Sequence, residues 1–279
     1  MGLKMVKRGL LVLLMLVCAA AAWAHDGWVQ SNVAKVRSGD MVYFDLQFGN
    51  HGNTHRDYLI YGSKWDLSKG SFVLHTPSGG ALDLKSSVID VGKDESKTVN
   101  GGPYVDKNGY LAVSFQTAKK GLYIMDARQD MVVSYAPERS VKGAKCLVAS
   151  VPNTIANYGN SIKGYDQVLG QELEIVPLDN PTELAVGDTL KIKVRFRGQP
   201  LADGCVTVIP RGVTLPPFGI PNPYDLMTDM DGVASYTFDQ ANYHLVVAHL
   251  DLNEGGVLDG KTYTTTKFTA ALTVIVKPR

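Results

Sequence analysis

Apolar and polar residues alternate with period two along much of this chain, and few windows hold a helical period for three turns. The clearest case is 190–197, where Leu190, Ile192, Val194 and Phe196 share one face and Lys191, Lys193, Arg195 and Arg197 the other. That is the pattern of a half-buried strand. Residues 41–48 follow the turn Ser38-Gly39-Asp40, and 111–115 follow Lys107-Asn108-Gly109. The β-rich runs 121–125, 131–135, 205–209, 233–238, 243–250 and 268–276 continue the series. Short strands spaced roughly 8–12 residues apart predict antiparallel sandwiches.

The stretch 158–170 is rich in glycine and polar residues and lacks alternation. It predicts a boundary between an N-terminal β-domain, residues 25–165, and a C-terminal sandwich, residues 171–279. The second suits an immunoglobulin-like or transthyretin-like fold of roughly 100 residues. The expected class is therefore all-β, with two β-sandwich domains. Prolines 216, 217, 221 and 223 make 212–225 a long, stiff loop.

The first 24 residues carry a different pattern. Lys4, Lys7 and Arg8 precede the apolar run 9–22, and Ala22-Trp23-Ala24 supplies the small-x-small step read by signal peptidase. The run is short for about 30 Å of hydrocarbon, and no later segment could cross a membrane as a helix. The expectation is an exported, periplasmic protein that begins at His25 and has no transmembrane segment in its mature part.

Composition narrows the function. With 45% hydrophobic residues, 20% charged residues and a formal net charge of +1 over 279 residues, the chain is globular and shows no basic footprint for nucleic acid. Removal of Cys18 with the leader leaves Cys146 and Cys205, an even number in an oxidising compartment. A disulfide between them and two separate thiols both remain open, because bridging needs Cα atoms within about 7 Å. No CxxC, Gly-x-Ser-x-Gly, His-Glu-x-x-His or phosphate loop occurs, so no catalytic site is expected.

The candidate chemistry lies in the histidines. Cleavage after Ala24 would leave His25-Asp26-Gly27-Trp28 at the N-terminus. A terminal histidine offers its amine and its ring Nδ1, which together can chelate one ion. His51 and His55 stand four apart in a Gly/Asn-rich loop and can converge on the same ion. Imidazole and amine nitrogens suit Ni, Cu and Zn. On the run 243–250, parity puts Leu245, Val247 and His249 on one face and His244, Val246 and Ala248 on the other. His249 closes the strand, where a loop-borne site would be built. Asp251 and Glu254 follow as possible oxygen donors or as a solvated turn. His75 reads as a turn residue, and Asp229-Met230-Asp231-Gly232 as a hairpin turn rather than a calcium loop.

The C-terminal half also carries a family signature. Its parts are Leu173-Glu174-Ile175-Val176-Pro177-Leu178-Asp179-Asn180-Pro181, Leu184-Ala185-Val186-Gly187-Asp188-Thr189-Leu190, Gly198-Gln199-Pro200-Leu201-Ala202 and Thr228-Asp229-Met230-Asp231-Gly232. These resemble a bacterial family of exported domains of unknown function, commonly described as the periplasmic component of a nickel-uptake transporter. Members begin their mature chain with His-Asp and an aromatic residue. His25-Asp26 is similar, although Trp28 stands one place late. The family's Gly-His step after the second strand is similar to Phe48-Gly49-Asn50-His51.

The expected function is therefore an exported transition-metal-binding protein, accessory to nickel or cobalt uptake and able to present its ion to a membrane metal transporter. His25 is the expected anchor, with His51, His55 and His249 completing the shell around Ni, Co, Cu or Zn. Two alternatives stand beside it: a non-catalytic Ig-like interaction or structural module of the cell envelope, and a copper enzyme built on an N-terminal histidine chelate.

Overall fold

The computed structural model describes residues 26–49, 58–59, 65–99, 101–108, 110–152, 161–216 and 220–279. Among these residues the regular structure is β, with two single-turn 3-10 helices. No helix among them is long and apolar enough to cross a membrane. In chain order the strands begin with β1 (Asp26–Ser31), β2 (Lys35–Arg37), β3 (Met41–Gly49), β4 (Tyr58–Leu59), β5 (Gly70–His75), β6 (Ala81–Asp83) and β7 (Ile89–Asp90). They continue with β8 (Lys93–Val99), β9 (Gly102–Asn108), β10 (Leu111–Gln116), β11 (Gly121–Val132) and β12 (Glu138–Val151). After the connecting segment come β13 (Leu173–Pro177), β14 (Thr189–Phe196), β15 (Gln199–Pro200), β16 (Cys205–Pro210), β17 (Asp225–Met227) and β18 (Val233–Thr237). The last four are β19 (Asn242–Leu252), β20 (Gly256–Leu258), β21 (Lys261–Tyr263) and β22 (Thr265–Val276).

A nine-stranded sheet runs through the middle of the molecule in the order β17-β16-β19-β22-β12-β11-β5-β6, with β2 beside the end of β12. One face is covered by the sheet β1-β3-β10-β7, the other by β13-β14-β15 with β18 on β14. Each face has its own core. Trp28, Phe44, Leu46 and Phe48 meet Tyr123, Met125, Cys146, Leu245 and Val247 on the first. Leu173, Ile175, Leu190, Ile192 and Val194 meet Leu147, Val208, Val246, Phe268 and Leu272 on the second. Runs such as Leu245–Ala248 read as continuously apolar because a central strand is buried on both sides. Burying one such aliphatic side chain fully stabilises by about 1.5–3 kcal/mol.

The all-β class follows directly from these sheets. The two expected sandwiches share one sheet instead of standing apart. Its joint is a parallel pairing of β12 with β22, from Glu138↔Thr265 to Cys146↔Thr273. Segments 25–165 and 171–279 therefore both contribute strands to the central layer, and Ile162, near the end of the first segment, lies in the second core. The runs 121–125 and 131–135 also merge differently from the pattern: β11 continues from Gly121 to Val132. Its interior carboxylates are satisfied. Asp126 accepts from Arg128 Nη2 at 2.7 Å and Gln171 Nε2 at 2.7 Å, and Asp130 accepts from Arg139 at 2.8 and 2.6 Å.

The candidate Cys146–Cys205 disulfide, left open by the sequence, does not form: Cys146 is a free, buried thiol. Cys146 pairs with Thr273, Thr273 with Leu245, and Leu245 with Ile209, four residues beyond Cys205. Three strand spacings of about 4.8 Å already exceed the reach of a disulfide. Burial also pushes the Cys146 thiol well above its ordinary range, despite a hydrogen bond with Ser31.

Candidate functional site

The parity read on 243–250 places the two histidines of β19 on opposite faces. His244 points with Val246 and Ala248 into the second core, fully buried and edge-on to Phe238 at 4.8 Å between centroids. Its Nδ1 lies 3.3 Å from the Asn242 carbonyl oxygen, and its Nε2 has no partner among the described residues. Burial outweighs the Asn242 hydrogen bond and holds its pKa down at about 4. It is a neutral core residue.

His249 points the other way, toward the sheet that begins with β1. Strand register shows what surrounds it. His249 pairs with Thr269, Thr269 with Lys142, and Lys142 with Gln129. Each stands two residues beyond an apolar position of the first core: Val247, Ala271, Ala144 and Ala127. Two residues restore the same face of a strand. The first core thus ends in a polar row crossing four adjacent strands.

Asp26 closes this row from above. At the start of β1 it pairs in register with Gly49, the last residue of β3. Asp26 is buried, with a side chain 9% exposed, and its Oδ1 lies 2.7 Å from His249 Nε2. Burial disfavours charge on the half-buried imidazole, but the Asp26, Asp251 and Asp225 carboxylates outweigh it and raise the His249 pKa. Asp225, on the edge strand β17 two strands from β19, accepts from Thr207 Oγ1 at 2.6 Å and Asn222 Nδ2 at 2.9 Å. Burial still raises its pKa against both donors and the His249 charge.

The mount is rigid for steric reasons. Gly27 lies against the Trp65 indole, so a Cβ there would sit 2.6 Å from Cε2 of the ring. Trp65 Nε1 in turn donates to the Gln47 carbonyl at 2.7 Å. Lys142 lines the row with its Nζ 5.3 Å from the Phe48 ring centroid and 2.9 Å from Ser140 Oγ. Burial lowers its pKa to about 8, although the Asp26 and Glu138 carboxylates oppose the shift.

His249 is thus a described candidate ligand, while His25, His51 and His55 lie outside the described residues. Among the described residues no group of three or more His, Cys, Asp or Glu side chains is close enough to hold a metal. Glu254 binds Arg197 at 2.9 and 2.6 Å instead, and exposed Asp251 pairs in register with Lys267. His75 ends β5, with Nε2 3.5 Å from Asp126 Oδ2. In the turn 229–232, Asp229 Oδ1 accepts from the backbone of Asp231 and Val233, both at 2.9 Å. The sequence reading missed Asp26 and Lys142. Continuing the strand parity two residues past Ala144 would have flagged Lys142; no local signal pairs Asp26 with a residue 223 positions away.

A family model described as "Domain of unknown function (DUF4198)" matches residues 22–251. No curated protein matches the chain. Among solved structures, the D0-D1 domain of Intimin is similar at 13% identity, with 88% of this chain and 97% of that chain covered and a TM-score of 0.21. A DUF4785 family protein from Legionella pneumophila is similar at 8% identity, with 79% and 52% covered and a TM-score of 0.26. The group B streptococcus pilus 2b backbone protein follows at 12% identity, with 90% and 98% covered and a TM-score of 0.17. At such scores none of the three carries an argument about this chain.

Proposed function

The chain belongs to the DUF4198 family of domains of unknown function, and within it we propose an exported, periplasmic protein that binds a divalent transition metal. In this reading it serves nickel or cobalt uptake and presents the ion to a membrane metal transporter. The observation that carries the reading is the contact between His249 and Asp26. Asp26 is the sequence neighbour of His25, and its register partner Gly49 stands two residues before His51. One candidate ligand, remote in sequence, therefore reaches the chain segments that bear the other three.

The donor chemistry fits a borderline metal ion. Asp26 engages one ring nitrogen of His249, which leaves Nδ1 without a partner among the described residues. Carboxylate-bound imidazole is a common arrangement behind metal-ligating histidines. After cleavage at Ala24, the His25 amine and imidazole would add two nitrogens, and His51 and His55 two more. Such a set suits Ni, Co, Cu or Zn better than Ca or Mg.

The test is Ni(II) titration of protein purified from the periplasm, against a form carrying one extra Met before His25. The native form should start at His25 by intact mass and bind tightly. The extended form should lose most of the affinity, and His249→Ala should weaken it further. Equal affinity in the native and extended forms would remove the N-terminal chelate.

A further inference from the structure

We infer that Asp26 is a positioning residue: it holds His249 in the Nε2–H tautomer, so that Nδ1 is the nitrogen presented for binding a metal ion. The affinity part of this inference rests on the metal-binding function proposed above; the tautomer part does not.

A carboxylate can only accept, so the 2.7 Å contact requires the proton on Nε2. The acceptor is fixed from three directions. Its backbone is paired with Gly49, the next residue is pinned against Trp65, and Trp65 is tied to Gln47 of β3 at 2.7 Å. His249 in turn stands on a strand bonded to both neighbours, at Thr269 of β22 and beside Ala248↔Val206 of β16. Both backbones are thus held in their sheets, and the two side chains meet across the layers.

The contact is also exclusive among the described residues. No lysine or arginine there forms an ion pair with Asp26. Lys142, the lysine of the polar row, donates a hydrogen bond to Ser140 Oγ at 2.9 Å. Among the described residues, His249 Nε2 is therefore the side-chain donor that Asp26 accepts from, and that contact sets which ring nitrogen His249 turns toward the carboxylate. A ring held in a single tautomer needs no reorientation on binding. Its hydrogen-bonded carboxylate also makes the opposite nitrogen a stronger donor, effects that together are worth about 10–100-fold in metal affinity.

The experiment uses the full exported protein labelled with 15N-histidine, with His249 assigned by loss of its signal in His249→Gln. In metal-free protein at pH 9, long-range 1H–15N spectra should show His249 as the Nε2–H tautomer. In Asp26→Ala the same ring should become a tautomer mixture, and the Kd for Ni(II) should rise about 10–100-fold. Asp26→Asn keeps an acceptor oxygen and should retain the tautomer with a smaller loss. An Nδ1–H tautomer in the unsubstituted protein, or an Asp26→Ala variant with unchanged tautomer and Kd, would overturn the inference. Should Asp26→Ala fail to fold, the spectrum of the unsubstituted protein and the Asp26→Asn pair still decide it. If instead the unsubstituted protein binds no Ni(II), the metal reading fails while the spectra still settle the role of Asp26.

Discussion

Truncating Glu174 should expose how much the central sheet depends on one buried ion pair. Lys145 lies inside β12 at 2% side-chain exposure, and its Nζ donates to Glu174 Oε1 at 2.8 Å. The Glu174 carboxylate, 1% exposed, also accepts from the backbone of Leu169 at 2.7 Å and Gly170 at 3.0 Å. In Glu174→Ala those two amides can turn to water, because Gly170 is exposed and Leu169 only half-buried. The ammonium cannot. Burial already lowers the Lys145 pKa against the pull of Glu174, and the substitution removes that pull. The lysine can escape by losing its proton, which from the ordinary value of 10.5 costs about 5 kcal/mol at pH 7, at 1.36 kcal/mol per unit. That bounds the charge penalty from above and agrees with about 3–5 kcal/mol for breaking buried pairs. Urea unfolding at pH 7 should therefore show Glu174→Ala less stable by about 3–5 kcal/mol. Adding Lys145→Met should recover a large part of the loss, because the uncompensated charge goes while the volume stays. A double variant no more stable than Glu174→Ala would refute the assignment of the cost to the buried ammonium.

Two further outcomes follow from the same packing. His244 is neutral in the fold with a pKa of about 4, against an ordinary 6.5; the unfolded chain binds its proton first, so stability is lost as pH falls from about 6.5 to about 4. The gap is worth up to about 3 kcal/mol, and His244→Leu should unfold in urea with a correspondingly shallower drop between pH 7 and pH 4.5; an identical drop in both proteins would count against it. Gly27→Ala should force the Trp65 ring from its place, since the new Cβ would meet Cε2 at 2.6 Å. A loss of about 1–3 kcal/mol with a changed near-UV circular dichroism band is expected, and an unaltered band would show that the contact has slack.

Local pattern was enough to locate most strands and to orient their side chains. The cationic and apolar faces of 190–197 appear in β14, with Leu190, Ile192 and Val194 buried and Lys191 exposed. The same parity separated core His244 from site-facing His249, because side-chain direction in a strand is a two-residue property that needs no knowledge of the partner. Partners are another matter. The parallel pairing of 138–146 with 265–273 joins segments more than a hundred residues apart, and only that pairing makes one sheet serve two cores. It also decided that Lys145 and Asp126, polar breaks to the eye, could lie inside long strands, since Glu174, Arg128 and Gln171 arrive from elsewhere to satisfy them. Cys146 and Cys205, free to pair on paper, were set three strands apart by the same sheet order. So was the choice of Asp26 as the companion of His249: the sequence names both residues, but a contact across 223 positions exists only once the layers have stacked.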